Sequence, residues 1–363
     1  MSSNSWELAE HEKYLKGQGA QKQIHNRFER QSYVTEHWEG IDEVDEGPEK
    51  TSFIEVHPKT IITPNSSPDV PFDLSINPYQ GCEHGCVYCY ARNSHQYWGY
   101  GPGRDFERAI LVKKNAATLL EKTFRKKSYR PELIVISGNT DCYQPIERKL
   151  GLTRQLLQVF QRYQHPVGLI TKNSMIQRDI DILAAMAEKD LVRVTISITS
   201  LKEETRRKLE PRTASVSQRL KTVRRLSDAG IPVNVNLAPI IPAINSDEVF
   251  DIVQAAADHG AVSANYIMVR LNGAIGEIFS DWVHKAYPER AEKVLHLIRE
   301  VHEGGLNSSE WKTRMRGTGT YADQIHRIFD IARQKFLPKK EPTEMDYSRF
   351  SVPDRGQQTS LFS

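Results

Sequence analysis

Asn77-Pro78-Tyr79-Gln80-Gly81-Cys82-Glu83-His84-Gly85-Cys86-Val87-Tyr88-Cys89-Tyr90 is the stretch that decides how this chain is read. The chain has four cysteines, and Cys82, Cys86 and Cys89 fall here at C-x3-C-x2-C spacing. Thiolates so spaced wrap one small metal centre from a single loop, and Gly81 and Gly85 let the backbone turn tightly around it. A structural zinc site takes four protein ligands, often as paired C-x2-4-C motifs, and no second pair follows. An iron–sulfur cube held by three thiolates instead keeps one iron without a protein ligand, open to a substrate or cofactor. The alternative is a Cys3His zinc or simple electron-transfer site with His84 or Cys142 as fourth ligand.

Working outward, 39 % hydrophobic and 26 % charged residues over 363 positions describe a globular chain with a sizeable core. No apolar run approaches the roughly 18 residues that cross a bilayer, so no membrane association is expected. Met1–Lys13 is polar and acidic and lacks the apolar stretch of a secretory signal. A cytoplasmic location follows as an expectation, and in that reducing compartment clustered thiols bind metal or do redox chemistry rather than form disulfides. The net charge of +3 does not by itself imply nucleic acid. Its distribution is uneven: residues 1–58 carry twelve acids against six Lys/Arg, whereas 312–340 carry eight Lys/Arg against Asp323 and Asp330. Such a stretch marks either an anionic partner or a solvated helix face.

Residues 1–71 read as a partly ordered N-terminal extension, with Gly17, Gly19 and Asn26–Tyr33 its most distinctive part and Pro58, Pro64, Pro68 and Pro71 at its end. The main domain spans 72–304, and 305–363 is a C-terminal extension with a basic helical segment. From Phe72 on, strand patterns alternate with helical ones. Strands are expected at Leu74–Tyr79, Leu133–Ser137, Val167–Thr171, Val192–Ile198, Val233–Leu237 and Tyr266–Leu271. Leu152, Leu156, Val159, Phe160 and Tyr163 share one helical face, as do Val249, Ile252, Val253, Ala256 and Ala257, with Ser246 placed as an N-cap and Gly260 past the end. Ile325, Ile328, Phe329 and Ala332 have the spacing of a third buried face. Alternation of this kind means an α/β fold of parallel strands with right-handed crossovers. Polar residues follow the strands at Gly138–Cys142, Lys172-Asn173, Ser197–Ser200, Asn236, Arg270 and Asn272, as in barrels that build their sites at the C-terminal strand ends. Six strands rather than eight point to an incomplete barrel. The glycine-rich Trp98–Gly103 reads as either a loop that closes over the site or an ordinary connection, and Gly317-Thr318-Gly319 lacks the rest of a dinucleotide fingerprint.

C-x3-C-x2-C with an aromatic residue before the last cysteine, here Tyr88, resembles the signature of the radical S-adenosylmethionine (SAM) superfamily. The resemblance implies an incomplete (β/α)6 radical SAM barrel and a [4Fe–4S] cluster on Cys82, Cys86 and Cys89. It further implies SAM bound to the open iron through its amino and carboxylate groups, and reductive cleavage to a 5′-deoxyadenosyl radical. A reductant such as flavodoxin or ferredoxin is implied as a partner. Segments from about Ile76 to Ile240 resemble the spore photoproduct lyase-like branch. Thr171-Lys172 is similar to that branch's Thr-Lys, whose lysine contacts SAM, and Ser197-Ile198-Thr199-Ser200 to its Ser-Ile-Asn-Ser, whose first serine does so too. Glu210-Pro211, Arg219-Leu220 and Ala238-Pro239-Ile240 are similar to later markers. Tyr88, Asn139, Lys172 and Ser197 are the residues expected on the SAM side.

One departure stands out. The lyase carries a catalytic cysteine just before a Thr-Asp pair, whereas here Asn139 precedes Thr140-Asp141 and the nearby thiol, Cys142, follows it. Side chains alternate direction along extended chain, so a three-residue shift aims the thiol elsewhere. Asn139 cannot relay a hydrogen atom. Cys142 is the candidate catalytic thiol, with a buried, inert cysteine as the alternative. Two functions are carried forward: a radical SAM enzyme whose substrate class includes nucleic acid, and a non-catalytic, zinc-stabilised nucleic-acid-binding protein.

Overall fold

The computed structural model describes residues 14–28, 50–339 and 343–353. The described residues form β1 (Ser52–Glu55), β2 (Ile62–Pro64), β3 (Leu74–Ile76), β4 (Tyr79–Gln80), β5 (Ala109–Val112), β6 (Ile134–Ile136), β7 (Val167–Thr171), β8 (Val192–Ser197), β9 (Val233–Ile240) and β10 (Ser263–Met268). Strands β3, β6, β7, β8, β9 and β10 are neighbours in that order and parallel throughout. These are the six expected strands, with two adjustments. The first splits after Ile76, because Tyr79–Gln80 pairs with β5 in a second, three-stranded sheet. The last begins three residues earlier than its apolar run suggested, where Ser263 pairs with Asn234.

The large sheet is open, with β10 at one edge and β2, antiparallel to β3, at the other. Pro64 ends β2, an edge position where its missing N–H is tolerated. The crossovers carry α1 (Ala116–Phe124), α2 (Leu152–Arg162), α3 (Ile180–Ala187), α4 (Glu203–Leu209), α5 (Val216–Asp228) and α6 (Val249–Asp258). After β10 come α7 (Ala274–Ala286), α8 (Ala291–Val301) and α9 (Gly319–Phe336). This is the incomplete (β/α)6 architecture. Val167, Leu169, Val192, Val194, Val233 and Val235 are almost wholly buried in one core with Leu156, Phe160 and Ile252 from the covering helices, as a parallel sheet covered on its face requires. Each such side chain contributes about 1.5–3 kcal/mol by leaving water.

The expected helical faces hold, with two corrections. Ser246 does not cap α6: it lies in a 3-10 turn preceding the helix, and its hydroxyl accepts from Ala243 N at 3.1 Å and meets Tyr321 Oη at 2.8 Å. In α9, Ala322, Ile325, Phe329 and Ala332 face the core, but Ile328 is exposed. Gly317 and Gly319 take positive φ on either side of Thr318, where α9 begins, so this glycine pair serves as a helix entry. Further on, Phe350 packs against Phe124, Tyr129 and Tyr163. The segment Asn26–Tyr33 lies partly, and Met1–Lys13 and Lys340 wholly, outside the described residues.

Candidate cluster and SAM site

The cysteine loop leaves β4 and crosses the end of the sheet where the parallel strands finish. Gly81 and Gly85 both have positive φ, which a side chain would strain. Neither has room for one: an added Cβ would sit 2.8 Å from the Ala109 carbonyl oxygen at Gly81, and 2.6 Å from the Arg212 guanidinium at Gly85. Cys82 and Cys86 are buried, Cys89 is half-buried, and all three are free thiols. Cys89 packs against both of the others' apolar surroundings.

Burial pushes every one of these thiols up, Cys86 to about 12, and the neighbouring thiols raise Cys82 and Cys86 further. Lys172 pulls Cys86 and Cys89 down, and Arg92 does the same for Cys89. Three crowded soft donors therefore stay protonated unless a metal centre displaces the protons. A cube, which offers each thiolate a separate iron, fits the donor set.

Three strand ends close around the loop. After β8, Thr199 Oγ1 donates to Glu210 Oε1 at 2.5 Å, and Tyr88 Oη donates to the same carboxylate oxygen. Arg219 lies beneath, donating to the other Glu210 oxygen, to Ser197 O at 3.0 Å and to Ala214 O at 3.0 Å. Both members of this ion pair are at most 2 % exposed. Burial acts to raise the Glu210 carboxyl, but Arg219 and Lys172 hold it down to about 2. Lys172, after β7, sets its ammonium 5.9 Å from the centre of the Tyr88 ring. Burial acts to lower that ammonium's pKa, and the neighbouring Cys86 sulfur and Glu210 carboxylate more than reverse the effect.

After β6, Asp141 Oδ2 accepts from Lys172 N at 2.8 Å, and Oδ1 accepts from Thr171 Oγ1 at 2.8 Å and Tyr143 N at 2.9 Å. Burial works against the charged carboxyl, but the adjacent His84 and these donors hold it down to about 2. The fully buried His84 ring sits with Nδ1 3.3 Å from Asp141 and Nε2 3.2 Å from Asn173 Nδ2. Both ring nitrogens thus lie against Asp141 and Asn173. Asn139 donates to Ser94 Oγ at 3.0 Å, just beyond the last cysteine, and its N–H donates to Asn77 Oδ1 at 2.8 Å.

Tyr88, Lys172 and the end of β8 at Ser197 are thus brought together with the three thiols, and Asn139 borders them. Cys142 is not. It is fully buried in the main core, with its N–H on Ser137 Oγ at 2.7 Å and its carbonyl held by Thr153 at 2.7 Å, and burial raises its thiol pKa strongly. Sequence reasoning missed Asp141 as the bracket between β6 and β7, although the Thr-Asp pair itself is a recognisable marker. It also missed Glu107, Arg92 and Arg212, which no spacing pattern marks.

The family model of the radical SAM superfamily matches residues 76–256, from β3 through the cysteine loop into α6. The chain belongs to the radical SAM superfamily. An uncharacterized protein of Mycobacterium tuberculosis is 31 % identical over 232 residues, 63 % of this chain and 68 % of that one. Spore photoproduct lyase complexed with dinucleoside spore photoproduct superposes with a TM-score of 0.56 at 17 % identity, over 79 % of this chain and 80 % of that one. A variant of that lyase with bound AdoMet and the same dinucleoside gives 0.53 at 15 % identity over the same shares. The fold is therefore that of the lyase, and the protein is a radical SAM enzyme, with an iron–sulfur cluster, SAM and an external reductant implied by its superfamily. No helix of the described residues is long and apolar enough to cross a membrane.

Proposed function

We propose that Cys82, Cys86 and Cys89 hold a [4Fe–4S] cluster whose fourth iron takes the amino and carboxylate groups of SAM. When bound, this pair supplies a 5′-deoxyadenosyl radical that removes hydrogen from a substrate. The observation that carries the reading is one loop with three thiols, two buried and one half-buried, and one ammonium, Lys172 at the end of β7, acting on two of them. Lys172 offers the SAM carboxylate a charge-assisted bond. Tyr88, between the second and third cysteines in sequence, is held through its hydroxyl by Glu210, which Arg219 pairs in turn. Ser197, buried at the end of β8, and Asn139, just after β6, are the further residues proposed on the SAM side. Cys142, enclosed in the core, serves packing in this reading.

Nucleic acid is the proposed substrate class. Support comes from the likeness to a lyase solved with a dinucleoside and from Trp311, exposed and covered by the Lys312 ammonium at 4.7 Å, beside exposed Arg316. Exposed cations and an aromatic face suit phosphates and bases. Anaerobically reconstituted protein given a strong reductant should convert SAM to 5′-deoxyadenosine, and Cys86→Ala should not. Cluster-loaded wild type that leaves SAM intact, or equal turnover by the variant, would reject the reading.

A further inference from the structure

The cysteine loop is gripped from outside the barrel as well as from within. Residues 17–20 of the N-terminal segment lie directly on it: an added Cβ at Gly19 would sit 1.6 Å from the Gly85 carbonyl oxygen. Only backbone against backbone fits there. The contact is held by Glu107, a carboxylate 3 % exposed. Glu107 accepts from Gly19 N at 3.2 Å and Ala20 N at 2.8 Å. It also accepts from two arginines, Arg92 at 2.6 Å and Arg212.

Each arginine continues to the loop. Arg92, fully buried, donates to the Cys86 carbonyl at 3.1 Å and to Gly103 O at 2.9 Å. Arg212 donates to the Glu83 carbonyl and, at 2.6 Å, to Gly17 O, while its own N–H donates to His84 O at 3.2 Å. The carbonyls of Glu83 and His84, between the first two cysteines, and of Cys86 itself are therefore tied, through the two arginines and one buried carboxylate, to a segment more than sixty residues upstream. Residues 22–24 extend the contact over the loop after the cysteines, where a Cβ at Gly101 would meet Ile24 O at 2.3 Å.

We infer that residues 17–20, locked by Glu107, Arg92 and Arg212, form a clamp that positions the cysteine loop around its cluster. Glu107 is a positioning residue, acting through the two arginines. This inference rests on the cluster assignment above. Burying a carboxylate between two guanidiniums is costly unless every partner stays in place, so the four groups move as a unit. Coupling is reciprocal. If the clamp orders the loop for the cluster, the cluster must order the clamp.

The test uses full-length wild type with and without its cluster, and Gly19→Ala. Cluster loading should slow hydrogen exchange of the Gly19 and Ala20 amides at least tenfold. In loaded Gly19→Ala, trypsin should cut at Lys16 or Lys22 faster, and iron should pass to a chelator at least tenfold faster than in wild type. The electron paramagnetic resonance signal of its reduced cluster should also broaden. Equal exchange in the two wild-type forms overturns the inference, as does iron release at the wild-type rate from the variant. The exchange measurement stands even if Gly19→Ala does not fold. Wild type that takes up no iron would instead defeat the cluster assignment, a separate outcome read from metal content.

Discussion

Arg219→Met tests whether the ion pair under Tyr88 is what fixes the floor of the site. The substitution keeps the aliphatic stem and removes the guanidinium that serves Glu210, Thr213, Ser197 O and Ala214 O. Glu210 is then left as a buried carboxylate with only hydroxyl donors and the more distant Lys172. Holding that carboxyl at about 2 instead of its ordinary 4.5 corresponds to about 3–4 kcal/mol at roughly 1.4 kcal/mol per pH unit, shared among Arg219, Lys172, Thr199 and Tyr88. Removing one member of a buried pair costs about 3–5 kcal/mol in general, the cost expected for Arg219→Met. Glu210→Gln combined with Arg219→Met removes both charges of the pair and keeps an acceptor for Tyr88 and Thr199. The double variant should therefore be more stable than Arg219→Met alone. Urea denaturation of the metal-free protein, with unchanged slope, measures both. A cost below about 1 kcal/mol for Arg219→Met, or strictly additive effects, would refute the reasoning.

Lys172→Ala should weaken SAM binding by about 1.5–3 kcal/mol, the range for a hydrogen bond to a charged group, at unchanged iron content; equilibrium titration with SAM reads it. Cys142→Ala should retain the cluster and SAM cleavage, and iron analysis beside the three motif variants checks this. Asp141 has a depressed folded-state pKa, so its contribution is fully present above about 4 and fades as the pH falls toward 2. The stability gap between wild type and Asp141→Asn, followed by denaturation of the metal-free protein at stepwise lower pH, should narrow across that window. If nucleic acid is the substrate class, reversing Lys312 and Arg316 to Glu should flatten the log–log salt dependence of binding by about 1.4–1.8, or 0.7–0.9 for each phosphate no longer neutralised. Arg314 belongs outside that set, because it is paired with Asp69 and donates to Ser67 Oγ at 2.8 Å.

The barrel was legible because its strands are short β-branched runs, and Val167–Thr171 and Val192–Ser197 form strands where their patterns place them. Where a run continued past its ladder, as at Leu74–Tyr79, hydropathy could not show the chain changing sheets. The three cysteines were legible from spacing alone. Lys172 and Ser197 were singled out by their likeness to the lyase branch's markers; the structure puts Lys172 just after β7 and Ser197 at the last position of β8. What stayed hidden is held by long-range charge. Glu107 sits in an unremarkable Asp-Phe-Glu-Arg turn, and its partners lie at positions 19, 20, 92 and 212. The basic stretch misled in part for the same reason: a count of cations does not reveal that Arg314 has a buried acid of its own.

Metal and sulfide analysis of anaerobically purified wild type, followed by electron paramagnetic resonance of the reduced protein before and after SAM, tests the central claim most directly. The account predicts a brown protein with about four irons and four sulfides per chain, and a spectrum that changes when SAM is added because one iron is open to it. A colourless protein carrying zinc, or an iron–sulfur signal indifferent to SAM, would contradict it.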